Sequence, residues 1–142
     1  TDSDGQKKTP YISHRTSLGC YERTLAYLIE RYAGALPLWM MPEQVRVMPI
    51  TDRAHDYAKE LAAKLNAANI HADTDCRSEK LGYKIREAQM QKVPYMLVIG
   101  DRDMENGTVS VRTRKGDDLG AMTPDAFIAK CLMEIATKSK EV

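Results

Sequence analysis

One continuous apolar run, residues 95–99, stands out in a chain whose other hydrophobic residues are mostly separated by polar ones. Its length predicts a strand covered on both faces, which Gly100 is expected to end. Asp101, Arg102 and Asp103 follow directly. In open α/β sheets, ligands bind beyond the carboxyl ends of the strands. These charged side chains are therefore candidates to meet a ligand rather than only water.

A helix is predicted before this strand, with Ser78 as its N-cap and Pro94 beyond its end, since proline cannot continue a helix. Three apolar residues fall on one face of that helix: Leu81, Ile85 and Ala88. Lys84 and Arg86 are assigned to other faces. We therefore expect both of these side chains to point toward water or toward a ligand.

The second part of the chain predicts the element order β-α-β-α-β-β-β-α. The other strands are predicted over residues 44–50, 70–75, 108–113 and 119–122. The first helix is expected to be capped by Thr51 or Asp52 and closed at Asn69, and the last to be capped by Thr123. Alternating strands and helices imply a parallel sheet, into which a hairpin turning at residues 106–107 inserts one antiparallel strand. We expect an α/β fold with three α/β/α layers around a five-stranded mixed sheet.

A shorter unit precedes this domain. Residues 1–9 are polar and are expected to form a tail or a surface loop, and residues 11–15 a short strand. An apolar stripe after Gly19 predicts a helix that ends at Gly34. Residues 37–43 place prolines around apolar side chains and predict a packed linker between the two units.

Overall composition excludes some classes of protein without identifying one. A chain of 142 residues has the length of one domain, and a formal net charge of +1 argues against a strongly basic nucleic-acid binder, though not against a local basic patch. Three cysteines without a CxxC pair favour a reducing, cytoplasmic setting. No apolar run reaches the roughly 20 residues that cross a bilayer, and residues 1–9 lack the apolar segment of a signal peptide.

Arginines carry the strongest candidate chemistry. A guanidinium group can read the acceptor edge of guanine in a fork geometry, and in RNA such reading acts on unpaired bases in loops. Arg86, Arg102 and Arg112 are candidates for one patch at a sheet edge, with Asp103 as a hydrogen-bond acceptor for a base. The simpler alternative is that these side chains are only solvated.

Catalytic and metal chemistry has less support from the residues alone. His14 has no recognisable second zinc ligand, and zinc sites need several. Arg23, at a helix start, is either solvated or able to hold a phosphate. The chain has no GxSxG, GxGxxG or GxxxxGK[ST] motif, so neither nucleophilic catalysis nor a phosphate-binding loop is indicated.

Residues 14–23, HRTSLGCYER, resemble motif 3 of the class II aminoacyl-tRNA synthetases. The runs ITD, EKLGYKIREA, KVPYMLVIGD and VRTRKGDDLGAM are similar to the threonyl enzymes of that class. The resemblance implies that residues 1–36 are the end of a class II catalytic domain, residues 37–43 a linker, and residues 44–142 a class II anticodon-binding domain.

The resemblance also implies site residues. Positions that match anticodon contacts of the family are Ser78, Arg86, Lys92, Arg102, Asp103 and Arg112. Lys92 replaces an arginine and loses its planar fork, whereas Arg86 and Arg112 keep the arginines of the family. His14 matches a zinc ligand of the threonyl catalytic site, and Arg23 matches the arginine that contacts the ATP phosphates. Cys20 stands where the family usually has serine.

The partners and cofactors implied are those of the longer family members: threonine tRNA as partner, with zinc and Mg-ATP bound to a homodimeric cytoplasmic enzyme. Motifs 1 and 2 are missing here, so we expect a C-terminal fragment that is monomeric, holds no cofactor and is inactive alone, with no membrane or DNA partner. Two alternatives remain, residual adenylate chemistry and a stand-alone paralogue that uses the fold as an interaction module.

Overall fold

The computed structural model describes residues 1–16 and 19–140; Ser17 and Leu18, inside the motif-like stretch, and residues 141–142 lie outside the described part. The strands in the described part are β1 (Val45–Pro49), β2 (Ala72–Thr74), β3 (Tyr95–Ile99), β4 (Val109–Thr113) and β5 (Asp118–Met122). The α-helices are α1 (Tyr21–Tyr32), α2 (His55–Ala67), α3 (Leu81–Met90), α4 (Asp101–Asn106) and α5 (Pro124–Ala136). Short 3-10 turns cover Leu38–Met40 and Asp52–Ala54. None of the described helices is long and apolar enough to span a bilayer.

The strands form one mixed sheet in the order β2-β1-β3-β4-β5. β1 pairs in parallel with β2 and β3, whereas β4 pairs antiparallel with β3 and β5. Val47 consequently lies between Thr74 and Leu97, and Arg112 lies opposite Met96. The predicted five-stranded mixed sheet, with one strand reversed, is confirmed.

One face of the sheet is covered by α2 and α5. Alternate strand residues point to the same face and meet side chains of both helices in one buried cluster that includes Val47, Leu97, Val111, Leu65 and Phe127. The Phe127 ring packs edge-on against the Tyr95 ring, with 5.4 Å between ring centroids. We call this cluster the larger core.

The opposite face is covered by α3. A second buried cluster, the smaller core, joins β1, β3 and this helix: Met48, Ala88, Val93 and Met96, with Leu81 and Ile85 packed beside it. These contacts place the apolar side of α3 over β1 and β3 rather than over β4 and β5. The three α/β/α layers are therefore confirmed, and the second layer of helix covers only part of the sheet.

α3 begins later than predicted, and one of its lysines is buried. Its N-cap is Lys80, without a side-chain hydrogen bond, and Ser78 lies exposed before it. The Asp75 carboxylate accepts the backbone N–H of Arg77 at 3.2 Å, which holds this segment in a turn rather than in a helix. Lys84, expected to face water, is 3 % exposed and donates to the Asp75 carbonyl oxygen at 2.9 Å. Both predictions are wrong because the end of β2 supplies the nearest hydrogen-bond acceptors.

Charged groups fix α3 against the end of β2. The buried Asp75 carboxylate accepts from Nε and Nη2 of Arg77 at 2.9 and 2.7 Å. Arg77 also donates to the Glu87 carboxylate of α3 at 2.5 Å. The Arg77 guanidinium holds the pKa of Asp75 below its usual value, with Lys84 adding to the effect. The rotation of α3 about its own axis is thereby set, because Lys84 and Glu87 are both engaged on the β2 side.

A short helix, α4, occupies the segment after β3, where the predicted element order had no helix. The Asp103 carboxylate accepts the Gly100 N–H at 3.0 Å, so it satisfies a backbone donor at the start of α4. Acidic residues in the first turn also favour a helix start, because the partial charge there is positive. Gly107 closes the helix with a φ of 63°. The turn predicted at residues 106–107 is therefore the end of a helix.

Local predictions elsewhere have mixed outcomes. The Thr123 hydroxyl accepts the Ala126 N–H at 3.3 Å, as predicted for an N-cap. Asn69 adopts the predicted left-handed conformation, with a φ of 59°. Thr51 stands at an N-cap position, but its hydroxyl donates to the Asp101 carboxylate at 3.0 Å and makes no cap hydrogen bond. The prediction that Thr51 or Asp52 caps α2 is wrong because a 3-10 turn over Asp52–Ala54 precedes the helix, whose N-cap is Ala54.

The N-terminal part contains no strand among its described residues. Residues 11–16 are exposed and irregular where a short strand was expected, since no other strand in the described part pairs with them. α1 forms as predicted, but none of its residues is buried. The linker packs on the domain: Leu38 is buried in the larger core and its carbonyl accepts from Gln44 Nε2 at 2.8 Å. Arg114 donates to the Leu36 carbonyl at 2.6 Å.

We expect Phe127→Ala to lower the free energy of unfolding by about 3–5 kcal/mol, because the ring is fully buried and its removal leaves a cavity beside Tyr95. Urea unfolding followed by circular dichroism measures this loss. Met133→Ala on the same helix, at a 65 % exposed position, is the control and should change stability by less than about 0.5 kcal/mol. Equal losses in the two variants would contradict the assigned core.

We expect the stability of the wild-type chain to fall more steeply with acid than that of Asp75→Asn. The folded-state pKa of Asp75 is depressed, so its stabilising contribution is complete above the unfolded pKa of about 3.9 and is lost as the pH falls through the lower folded value. Urea unfolding between about pH 5 and pH 2 checks this. Asp56→Asn, at an exposed position of α2, is the control and should follow the wild-type slope. An Asp75→Asn curve parallel to wild type would count against the Arg77 pairing.

Candidate nucleic-acid interface

Part of the sheet surface is free of helices on the side of α3. Val109 and Val111 of β4 point into the larger core, so Ser110 and Arg112 point to the opposite face. Ala121 of β5 pairs with Ser110 and shares that face. We define the open sheet face as Ser110, Arg112, Asp118 and Ala121. None of its four side chains is large and apolar, and the face lies next to α3.

Arg112 is the main cationic group of the open sheet face. It donates to the Asp118 carboxylate at 3.2 Å, and the two side chains are 42 % and 51 % exposed. An ion pair this exposed contributes little to stability, of the order of 0–1 kcal/mol. The guanidinium can therefore exchange Asp118 for an acceptor on a ligand with little loss of free energy.

Arg86 lies on the side of α3 that faces the open sheet face. The Gln89 side-chain nitrogen reaches the turn between β4 and β5, where it lies 3.7 Å from the position a Cβ would take at Gly116. Arg86 precedes Gln89 by three residues, which is nearly one helical turn, so both lie on the same side of the helix. Glu87 is turned to the other side, toward Arg77. In the described part of the chain Arg86 has no ion-pair or hydrogen-bond partner, which leaves its donors free.

α4 brings Arg102 and Asp103 to the carboxyl end of β3. Arg102 is exposed. The Asp103 carboxylate is half-buried and accepts three hydrogen bonds, from the Gly100 N–H at 3.0 Å, the Thr108 hydroxyl at 3.2 Å and the Ser110 hydroxyl at 3.3 Å. Asp103 therefore joins α4 to the open sheet face, and this internal role was not predicted from its resemblance to a base-contacting residue.

The other two predicted contacts lie beyond the two ends of α3. Ser78 is exposed in the segment that precedes the helix. Lys92 follows the helix in the left-handed conformation, with a φ of 61°, and its side chain passes 3.9 Å from the Cβ position of Gly34. Arg86 and Arg112 thus share one side of the molecule. Arg102 and Ser78 lie toward the edge of the sheet where the parallel strands end. Lys92 lies next to the N-terminal unit. Whether all six contact one ligand stays a prediction.

The residues assigned to catalysis are separate from this surface. His14 and Arg23 are both exposed, the first in the irregular segment and the second on α1. Within residues 1–16 and 19–140, no group of three or more histidine, cysteine, aspartate or glutamate side chains is arranged to hold a metal ion. His14 alone does not provide the three or four protein ligands that a zinc ion takes. The residues present therefore do not form a zinc site by themselves.

Sequence reasoning missed two residues of the open sheet face. Asp118 is the partner of Arg112, and Ser110 is the link to Asp103. Both were detectable in principle. Alternation along β4 places Ser110 and Arg112 on one face, and a hairpin around residues 114–117 brings Asp118 opposite Arg112.

Comparison with known proteins identifies the family of this fold. Residues 44–134 match the family described as anticodon binding domain. A threonine–tRNA ligase of Clostridium botulinum (strain Eklund 17B / Type B) is 53 % identical over 139 residues, covering 98 % of this chain and 22 % of that protein. A threonine–tRNA ligase of Caldanaerobacter subterraneus subsp. tengcongensis is 51 % identical over 136 residues, covering 96 % of this chain and 21 % of that protein. The chain thus spans about one fifth of the length of these curated relatives.

Two solved structures have a similar fold. The RNA-binding domain of threonyl-tRNA synthetase from Cryptosporidium parvum Iowa II superposes with a TM-score of 0.77 at 31 % identity, covering 82 % of this chain and 29 % of that one. Prolyl-tRNA synthetase from the same species gives a TM-score of 0.64 at 22 % identity, covering 71 % of this chain and 22 % of that one, and supports the fold alone.

The family match extends over more than half of the chain, and the resemblance to threonyl-tRNA synthetases that the sequence indicated is confirmed by these relatives. The sheet, its strand order and its open face all lie within the matched residues 44–134. The chain therefore belongs to the anticodon-binding domain family.

Proposed function

We propose that this chain binds the anticodon loop of a tRNA, and that its cognate is threonine tRNA. The observation that carries the proposal is the open sheet face with the helix beside it, where Arg112 and Arg86 have no strong internal partners, in a domain of the anticodon-binding family. The threonine assignment is supported by the names of the relatives, which are threonine–tRNA ligases.

Base reading at this surface follows from the chemistry of the side chains. Unpaired bases in an RNA loop can be splayed onto a protein surface and read on their hydrogen-bonding edges. The Arg112 guanidinium offers a bidentate donor pair to the acceptor edge of guanine, and Asp118, once released, is an acceptor for a base amino group. Arg86 offers a second set of donors from the helix beside the sheet. The remaining predicted contacts, Ser78 and Lys92, would meet the RNA beyond the two ends of α3.

Asp103 has two roles in this proposal. Its carboxylate positions α4 and the Ser110 hydroxyl through the hydrogen bonds described above. A carboxylate has about four lone-pair sites, so three internal donors leave it able to accept one more hydrogen bond from a base. Arg102, exposed beside it, supplies positive charge for the phosphates at the same end of the sheet.

In a longer protein the same chain would act as the C-terminal part of a threonine–tRNA ligase, a cytoplasmic, homodimeric, ATP-dependent enzyme. We propose residues 1–36 as the end of its catalytic domain, residues 37–43 as the linker and residues 44–142 as the anticodon-binding domain. Arg23 would there contact the ATP phosphates, and His14 would supply one zinc ligand among others from outside this chain. The relatives are far longer proteins named as ligases, which favours this reading over a stand-alone interaction module.

We expect Arg112→Ala to weaken binding of a fluorescently labelled threonine-tRNA anticodon stem-loop by about 1–3 kcal/mol, the size of one base contact. The same substitution should have a much smaller effect on a stem-loop whose second and third anticodon bases, G and U, are replaced. Fluorescence anisotropy titrations at one fixed salt concentration measure both affinities.

Lys59→Ala is the matched control, because it removes one positive charge from an exposed position of α2 on the covered side of the sheet. It should leave the preference for the cognate loop unchanged. Identical affinities of the wild-type chain for the cognate and base-replaced loops would rule out base reading by this surface.

A further inference from the structure

The solvent side of α3 has a row of exposed side chains that no internal contact explains. Tyr83 is 55 % exposed and Met90 is 74 % exposed, although both lie on a helix whose opposite side packs well in the smaller core. Arg86 lies between them, so the three residues occur at positions i, i+3 and i+7 and share one helical face. These side chains, with Glu87, line a shallow hollow.

The groups around this hollow are available for a ligand. In the described part of the chain, the Tyr83 ring has no aromatic or cation partner, and its hydroxyl makes no hydrogen bond. Arg86 is likewise unpaired there, whereas the negative charge of Glu87 is compensated by Arg77 at 2.5 Å. The hollow therefore combines an aromatic face, a thioether and one uncompensated positive charge, which suits a planar group carried on a polyanion.

We propose that Tyr83 is a stacking platform for one unpaired base of the bound RNA loop, with Arg86 holding the neighbouring phosphate or base edge and Met90 closing the hollow. The inference rests on the proposed function and extends it to a residue outside the predicted contact set. Its position supports it, because Arg86 both lines this hollow and lies on the side of α3 that faces the open sheet face. A loop whose bases lie on Arg112 reaches the hollow by continuing over α3.

Stacking and ionic contacts differ in how they respond to salt and to base identity. Base–aromatic stacking tolerates any base, because every base has a π-face, and it releases no counterions. Loss of a phosphate contact lowers the slope of log affinity against log salt by roughly one, whereas loss of a stacking contact leaves that slope unchanged. The role of Tyr83 is thus separable from that of Arg86 in one set of titrations.

The test uses this chain and an anticodon stem-loop of threonine tRNA, with 2-aminopurine placed at each loop position in turn. We expect the wild-type chain to quench one position strongly on binding, and Tyr83→Leu to abolish that quenching. Tyr83→Leu should also weaken binding by roughly 5- to 150-fold at an unchanged salt slope, while Tyr83→Phe should bind as wild type, since stacking does not need the hydroxyl. Because Tyr83 is exposed, the melting temperature of each variant should equal that of the wild type.

Tyr27→Leu is the matched control, because Tyr27 is 56 % exposed on α1, a helix away from the sheet, and should leave binding unchanged. Wild-type affinity in Tyr83→Leu, while Arg112→Ala still weakens binding, would overturn the stacking inference and leave the proposed function standing. Equal losses in Tyr83→Phe and Tyr83→Leu would also overturn it, since the hydroxyl would then be the contact. Absence of any binding by the wild-type chain would overturn the proposed function and this inference together.

Discussion

The buried strands β1 and β3 need helices packed on both faces of the sheet, and the chain covers the two faces unequally. β3 is buried along its whole length, because α2 and α5 pack on one face and α3 on the other. A single helix is about 10 Å wide, which spans roughly two strands at their spacing of about 4.8 Å. Once α3 is placed over β1 and β3, the same face of β4 and β5 stays open. The surface that we propose for RNA is thus the part of the sheet that the packing leaves uncovered.

The placement of α3 depends on charges as much as on apolar contacts. The smaller core contains few side chains, so it fixes the position of the helix better than its rotation. Lys84 and Glu87 supply the missing constraint, since both bind groups at the end of β2. With these side chains turned toward β2, Gln89 is turned toward β4 and β5 and Arg86 lies on the same side of the helix. The contacts of Lys84 and Glu87 on one side of the helix therefore decide which cation is presented on the other side.

Much of the fold was predictable because local signals and tertiary packing agree. The apolar run of β3, the Thr123 cap and the left-handed Asn69 all follow from short-range chemistry, and the structure has each of them. The misses arise where the deciding partner is distant in sequence. Lys84 is buried because an acceptor nine residues away meets it, and the Thr51 hydroxyl, which makes no cap hydrogen bond, donates to Asp101 on α4. The spacing of residues along the chain does not predict either contact.

The candidate site was predictable to a different degree. Arg86 and Arg112 come from different elements, and only the crossover of α3 and the register of β4 bring them to one side of the sheet. The resemblance to a family identified them, whereas periodicity alone did not distinguish them from solvated arginines. The resemblance also identified Asp103 as a ligand contact. It did not predict the three internal hydrogen bonds of Asp103, because the unpredicted helix α4 is what brings Thr108 and Ser110 to this carboxylate.

The linker has a mechanical consequence. The Leu36 carbonyl just before the linker and the Leu38 carbonyl within it accept hydrogen bonds from Arg114 and Gln44 of the domain, and the Leu38 side chain is buried in the larger core. Two hydrogen bonds to nearby peptide groups restrict the motion of this segment, so it is a rigid connection and not a hinge. Arg114 follows Arg112 by two residues at the end of β4. The Arg114 side chain therefore connects the strand that carries Arg112 directly to the backbone that enters the domain.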